Sequence, residues 1–292
     1  MRFAKGHATG NDFLILPDPD GQLVLTPPLV AGLCDRHTGL GADGVLRVVR
    51  MAAADDPPAG QEAAEWFMDY RNADGSIAEM CGNGIRVFTR YLLGHGLAGG
   101  PELDLATRAG LRHVTEEPSG DITVDMGAPE VLGPGTAVID GSQHQGLAVS
   151  LGNPHLACVV NAPVAGIDLS QPPVVDHVQF PDGANVEVVR VLGDGFLEMR
   201  VYERGSGTTL SCGTGAVAAA VAASSAVGNP ARAWTVQVPG GKLTVTLTGT
   251  ASLLSGPAEI VAEGDLNEGW LSRLAVAPRR TPVREGQLSV QR

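Results

Sequence analysis

The chain has 292 residues, 43% apolar and 18% charged, a size and balance that suit one large soluble domain or two ordinary ones. Its net charge of -12 argues against a nucleic-acid partner, which would need a basic face. No apolar run reaches the length of a membrane span, and Met1–His7 lacks the apolar core of a signal peptide, so a cytoplasmic protein with no membrane partner is expected.

Residues 2-17 begin as a short strand, pass through a Gly10-Asn11-Asp12 loop and continue as the apolar run Phe13-Leu14-Ile15-Leu16. Leu29 to His37 reads as a helix after Pro27-Pro28. Thr38 to Gly44 is a glycine-rich loop without the Lys-Ser/Thr of a phosphate-binding loop. Val45 to Met51 is a strand, and residues 52-63 form a surface insertion. Trp66 to Arg71 is a strand leading to Met80-Cys81-Gly82-Asn83-Gly84 and a helix from about Gly84 to Leu93, closed near Gly94. Strands follow at Glu102–Ala106, Leu111–Thr115 and Ile122–Met126. Residues 127-135, with three Gly and two Pro, mark a domain boundary.

The second half repeats the plan. Strands are expected at Ala148–Leu151, Leu156–Val160, Val186–Leu192 and Phe196–Glu203. They lead to Ser211-Cys212-Gly213-Thr214-Gly215 and the helix-forming run Ala216–Ala223, with Ser211 or Thr214 as cap. A hairpin of Val236–Val238 and Leu243–Leu247 turns at Pro239-Gly240-Gly241, and Glu259–Ala262 is a last strand. The arginine-containing residues 277-292 read as a solvated tail.

The two Cys-Gly-Xaa-Gly motifs lie 212 − 81 = 131 residues apart, and each half carries an earlier Gly-Asn, Gly10-Asn11 and Gly152-Asn153. Similarity over this length reads as duplication of a whole domain rather than a short repeat. Each cysteine sits at a helix N-terminus, where free N–H groups favour an anion and lower a thiol pKa. Cys34 and Cys158 lack such a turn and read as core residues. Two facing thiols suggest a disulfide, a metal site or an acid/base pair. A reducing compartment disfavours the first. Two cysteines cannot complete a tetrahedral metal set, and His7, His37 and His155 lack ligand spacing to either. The third inverts a stereocentre, one thiolate removing a proton and the opposite thiol delivering one. No flavin, nicotinamide or pyridoxal motif is present, so no cofactor and no metal are expected.

The ordered set Lys5-Gly6-His7-Ala8-Thr9-Gly10-Asn11-Asp12-Phe13, Arg36-His37-Thr38-Gly39, Asn72-Ala73-Asp74-Gly75-Ser76, Met80 to Arg86, Gly152-Asn153-Pro154-His155, Asn185-Val186 and Tyr202-Glu203-Arg204-Gly205 to Ala216 resembles the diaminopimelate epimerase family. The resemblance implies an α+β fold of two pseudo-symmetric domains. Each is a curved, mostly antiparallel sheet around a central helix, residues 1-125 plus 257-292 and residues 126-256, with the active site between them. It implies an amino-acid epimerase that interconverts LL- and meso-diaminopimelate without pyridoxal phosphate, on the way to lysine and peptidoglycan, as a homodimer. Cys81 and Cys212 would be the two bases, tuned by His155 and Glu203. Backbone N–H groups of Gly82, Asn83, Gly213 and Thr214 would hold the reacting carboxylate. Asn11, Asn72, Asn153, Asn185, Glu203 and Arg204 would contact the rest of the substrate. The chain departs from the family in having Gly44 where Gln is frequent, in His7-Ala8 for His-Gly, and in the longer insertion at 52-63. A proline racemase or hydroxyproline epimerase is the nearest rival, although those carry His where this chain has Asn83. A non-catalytic amino-acid-binding module is another. Isomerases of the phenazine-synthesis kind lack the paired cysteines.

Overall fold

The computed structural model describes residues 1–228 and 233–276. The tail expected at 277-292 lies outside the described residues. The chain runs β1 (Arg2–Ala8), β2 (Asn11–Pro17), α1 (Pro27–Cys34), β3 (Gly44–Arg50), β4 (Trp66–Asn72), α2 (Gly82–Gly94), β5 (Glu102–Ala106), β6 (Arg112–Glu116), β7 (Ile122–Gly127) and β8 (Glu130–Ile139). It continues through β9 (Ser142–Ser150), β10 (Pro154–Val159), β11 (Val174–Val175), β12 (Asn185–Gly193), β13 (Phe196–Glu203), β14 (Gly207–Thr209) and α3 (Gly213–Val227). It ends with β15 (Ala233–Val238), β16 (Gly241–Leu247), β17 (Ser252–Gly256), β18 (Glu259–Asp265) and α4 (Glu268–Val276).

Strand pairing makes the duplication explicit. One half runs β18-β1-β2-β3-β4-β5-β6-β7, parallel only at β2–β3 and β4–β5. The other runs β8-β9-β10-β12-β13-β15-β16-β17, parallel only at β10–β12 and β13–β15. The order of parallel and antiparallel joins is the same in both. The β7–β17 pair connects them. β18 fills the place before β1 that β8 fills before β9, so the chain is back in the first half at Glu259–Asp265. Each half wraps its helix: α2 touches β1, β2, β3, β4, β7 and β18, and α3 touches β9, β10, β12, β13, β15, β16 and β17. This is the expected α+β fold of two pseudo-symmetric units.

A helix enclosed on all sides buries mostly apolar or small residues all round, and any polar one must be hydrogen-bonded. In α2, Ile85, Val87, Phe88, Tyr91 and Leu92 are buried. In α3 the alanines Ala216, Ala218, Ala219, Ala220, Ala222 and Ala223 are buried, and their small side chains let the sheet close tightly round the axis.

Several local expectations are corrected. α1 ends at Cys34 rather than His37, because Asp35 is extended and its carboxylate accepts from the His37 and Thr38 N–H groups instead. The first turn is only Thr9-Gly10, both at positive φ, so Asn11 and Asp12 belong to β2 rather than to a loop. α3 reaches Val227, beyond Ala223, and stops at Gly228 in the left-handed conformation. Its cap is Cys212 itself, not Ser211 or Thr214. β8 occupies much of the expected boundary segment, and β11, β14, β17 and α4 were not expected.

Candidate active site

Both helices begin in the same way. Cys81 is the N-cap of α2 and its sulfur accepts from Gly84 N–H at 3.4 Å; Cys212 is the N-cap of α3 and accepts from Gly215 N–H at 3.4 Å. The two helix starts abut. A Cβ added to Gly213 would lie 3.2 Å from the Gly82 Cα and 3.0 Å from Leu254, and one added to Gly82 would lie 3.0 Å from both Leu254 and Met126. A side chain at either position would be tight and would have to displace Leu254, Met126 or the facing helix start by a few tenths of an ångström. Two sets of free N–H groups therefore converge, a ready anion site.

A polar web ties the halves together. Asn83 Nδ2 donates to the Ser211 carbonyl at 3.1 Å and to Asn11 Oδ1 at 3.3 Å. Thr9 and Ser211 share a 2.7 Å hydroxyl bond across the halves. Arg86, fully buried, donates to the Gly82 carbonyl and to Asn83 Oδ1, each at 2.9 Å. Burial pulls its pKa down to about 10, so it remains a cation at neutral pH beneath the start of α2.

Around Cys81, the thiol donates to Asn11 Oδ1 at 3.6 Å, and Asn11 Nδ2 donates to Asp43 at 2.7 Å. Asp43 and Asp12 share Arg36, and Lys5 closes on Asp12 at 2.6 Å. Burial pushes the Asp12 carboxyl up, but hydrogen bonds from Arg36 and Lys5 prevail and hold it at about 2. Asn72 is apart from this set. It bonds Ser76 within its own turn and pairs in register with Gly44.

Around Cys212, the sulfur meets the Thr214 hydroxyl at 3.5 Å and Asn153 donates to that hydroxyl at 3.4 Å. Asn153 Oδ1 lies 3.1 Å from His155 Nε2, and His155 Nδ1 lies 2.7 Å from Glu187. His155 and Glu187 are both completely buried, and the second Glu187 oxygen has no partner among the described residues. Glu187 was not a sequence candidate. Its signal was there: a single carboxylate within the otherwise apolar run Val186-Glu187-Val188-Val189, at the parallel β10–β12 join where buried strands read as continuously apolar. His155 is thus set behind Asn153 and makes no direct bond to the thiol it was expected to tune. Glu203 is closer. Burial pushes its carboxyl up, and bonds from Thr209 and Cys212 partly offset that. Asn185 accepts from the backbone N–H of Arg204 at 2.9 Å, and the Arg204 guanidinium is exposed, resting on the Asp182 carbonyl at 3.2 Å.

The expected lowering of the thiol pKa values is overturned. Burial pushes Cys81 up to about 11, against the pull of the Gly84 and Asn83 N–H groups. Burial pushes Cys212 well above the ordinary thiol value, and the carboxylates of Glu203 and Glu187 push it further. The helix ends act in the expected direction, but desolvation is larger. Cys34 and Cys158 are buried, and burial raises each to about 12, as suits core residues.

Among the described residues no group of three or more His, Cys, Asp or Glu could hold a metal, and no helix is long and apolar enough to cross a membrane.

This arrangement defines a class: a duplicated α+β fold in which two cysteine-capped helix N-termini meet between the halves. Solved structures of that fold include a hydroxyproline epimerase from Agrobacterium vitis, with a TM-score of 0.63 at 16% identity over 90% of this chain and 91% of that one. A PhzF-family phenazine biosynthesis protein from Bacillus anthracis gives 0.60 at 15% identity, over 91% and 99% of the two chains. At such identities the likeness concerns the fold alone. Within the class, the family profile described as diaminopimelate epimerase matches residues 3–132 and 147–261. The diaminopimelate epimerase of Thermobifida fusca (strain YX) is 62% identical over 271 residues, 91% of this chain and 98% of the relative. That of Mycobacterium tuberculosis (strain ATCC 25618 / H37Rv) is 53% identical over 284 residues, 92% and 98% of the two chains. The chain belongs to the diaminopimelate epimerase family.

Proposed function

We propose that the protein interconverts LL- and meso-diaminopimelate by two-base proton transfer between Cys81, Cys212 and the α-carbon of the substrate. The observation that carries the reading is the abutting pair of cysteine-capped helix ends at Gly82 and Gly213. The substrate carboxylate binds the N–H groups of Gly82, Asn83, Gly213 and Thr214, which also stabilise negative charge developing on the adjacent carbon. One cysteine, as thiolate, takes the α-proton and becomes a thiol. The other, as thiol, returns a proton to the opposite face and becomes the thiolate. The enzyme ends with its two protonation states exchanged and is ready for the reverse reaction.

His155 and Glu203 set the charge around Cys212. Asn11, Asn72, Asn153, Asn185, Glu203 and Arg204 bind the rest of the substrate, with Arg204 swinging from its exposed position onto the distal carboxylate. We further propose domains at 1-125 plus 257-292 and at 126-256, a homodimer in the cytoplasm, independence from pyridoxal phosphate, and a place in lysine and peptidoglycan precursor synthesis.

The test is incubation of purified protein, dialysed against chelator, with LL-diaminopimelate in heavy water, followed by chiral analysis. The expected result is meso product carrying deuterium at the inverted carbon. Activity that returns only with pyridoxal phosphate or zinc would sink the two-thiol mechanism. Binding without α-proton exchange would favour an amino-acid-binding module.

A further inference from the structure

Position 44 is a glycine for a steric reason. A Cβ there would lie 2.7 Å from the Tyr70 ring and 2.6 Å from the Arg71 carbonyl. Tyr70 thus fills the space that a side chain at 44 would take. It lies on β4 two residues before Asn72, so both side chains face the same side of the sheet. Gly44 is the register partner of Asn72, which brings all three to the same end of the β3–β4 pair. The ring is fixed by an edge-to-face contact with Phe13, centroids 5.9 Å apart, and by its place in the core beside α2. The Tyr70 carbonyl accepts from Ala78 N–H, in the loop that leads to Cys81.

Phe13, against which the ring is set, also lies 3.5 Å from where a Cβ on Gly84 would stand, so the ring sits at the start of α2, on the side of Cys81. Burial raises the phenol pKa well above its usual value, and the groups whose charge adds to that are Cys81, Glu203, Asp43 and Cys34. Of these, Cys81 caps α2 in the same half, and Glu203 belongs to the opposite half. Among the described residues nothing hydrogen-bonds the hydroxyl, yet it is not one of the sealed, unpartnered polar atoms. A rigid, neutral O–H donor is therefore held on the Asn72 face of the sheet, near the start of α2, with its bonding capacity unspent.

We propose that Tyr70 is a substrate-binding residue, its ring seated over Gly44 and its hydroxyl donating to the diaminopimelate head group on the Asn72 side of the cleft. The inference rests on the epimerase reading above. It needs no proton transfer to Tyr70, only a hydrogen bond to a charged group of the substrate.

Tyr70→Phe is the direct test, because it deletes one oxygen and keeps the ring contacts with Phe13 and Gly44. KM for both LL- and meso-diaminopimelate should rise about tenfold or more, the scale of a lost bond to a charged group, while kcat stays within about twofold. The melting temperature should match wild type, since no described hydrogen bond is removed. Gly44→Ala should displace the ring and raise KM at least as much. A wild-type KM in either variant overturns the proposal. If instead the wild-type protein fails to interconvert the two isomers, the epimerase reading falls, and that outcome is distinct from an active wild type with an indifferent Tyr70→Phe.

Discussion

The Cys81 and Cys212 halves share one backbone device and surround it differently. Each thiol caps a helix buried in its own sheet, and each connects through an asparagine, Asn11 or Asn153, to a carboxylate. Beside Cys81 the carboxylates Asp43 and Asp12 are matched by Arg36 and Lys5 in a cluster that reaches solvent, the Arg36 side chain being 55% exposed. Beside Cys212 the chain of contacts runs inward through Thr214, Asn153 and His155 to a sealed Glu187. The difference teaches that a helix N-terminus fixes where a thiol stands, while its neighbours decide how readily it ionises.

The largest effects come from removing either thiol. Cys81→Ala and Cys212→Ala should each lower epimerisation by roughly 10²–10⁴-fold, the range for loss of a general acid or base. Each variant keeps one thiol on one face. Solvent exchange of the α-proton should therefore persist preferentially for one stereoisomer in one variant and for the other in its counterpart, read by deuterium incorporation into LL- and meso-diaminopimelate. Near-normal epimerisation in either variant would remove that cysteine from the mechanism.

Stability separates the two polar clusters next. Glu187→Ala strips the partner from buried His155 and should cost about 3–5 kcal/mol, as for breaking a buried pair. Asp43→Ala acts in a solvent-reaching cluster and should cost about 0–1 kcal/mol. Denaturant unfolding of the two variants measures both, and equal losses would mean that the clusters do not differ in burial as described.

The helix junction follows. Gly82→Ala or Gly213→Ala inserts a methyl 3.0 Å from its nearest neighbours, a tight fit that should cost about 1–3 kcal/mol by overpacking. Turnover should fall as well, because the two sets of N–H groups move apart. Gly127→Ser is a useful control: a side chain at Gly127 meets nothing, and its positive φ alone carries the strain.

Much of this was legible from the residues. The paired Cys-Gly-Xaa-Gly motifs marked the helix starts and the duplication, since glycine and helix spacing are local signals. What escaped depended on tertiary surroundings. β8 contains Gly133, Pro134 and Gly135, which read as turns, yet a bulge between Val131 and Gly133 accommodates them within a long hairpin. α3 continues through Ser224, whose hydroxyl accepts from Trp234 Nε1 at 2.9 Å, a tertiary partner invisible to propensity. The polar web of Thr9, Ser211, Asn83 and Arg86 needs both halves in place before it exists. The direction of the thiol shifts was misjudged for the same reason: the sequence reveals a helix end and conceals how deeply its cap is buried.

That misjudged direction supplies the finest test of the comparison. Burial raises both thiols, Cys81 to about 11 and Cys212 well above the ordinary thiol value; the Glu203 carboxylate adds to both, and Glu187 adds to Cys212. Alkylation by iodoacetamide, followed at each cysteine by peptide mass spectrometry, reports the thiolate. The pH midpoint is the quantity to compare, because Cys81 is also the more exposed and would react faster on access alone. The Cys81 midpoint should lie near 11, with a rate rising about tenfold per pH unit below it, and that of Cys212 should lie well above the ordinary thiol value of 9.0. The same shifts act on folding. Unfolded thiols ionise near 9.0 while the folded ones keep their protons, so their contribution is fully present below pH 9 and is lost as pH rises toward 11. Asp12 works in the opposite direction: its contribution is present above its ordinary value of 3.8 and is lost as pH falls toward 2. Melting temperature should therefore decline at both ends of the scale. A Cys212 midpoint at or below the ordinary thiol value of 9.0 would make the buried histidine–carboxylate chain an activator of its thiol rather than a brake on it.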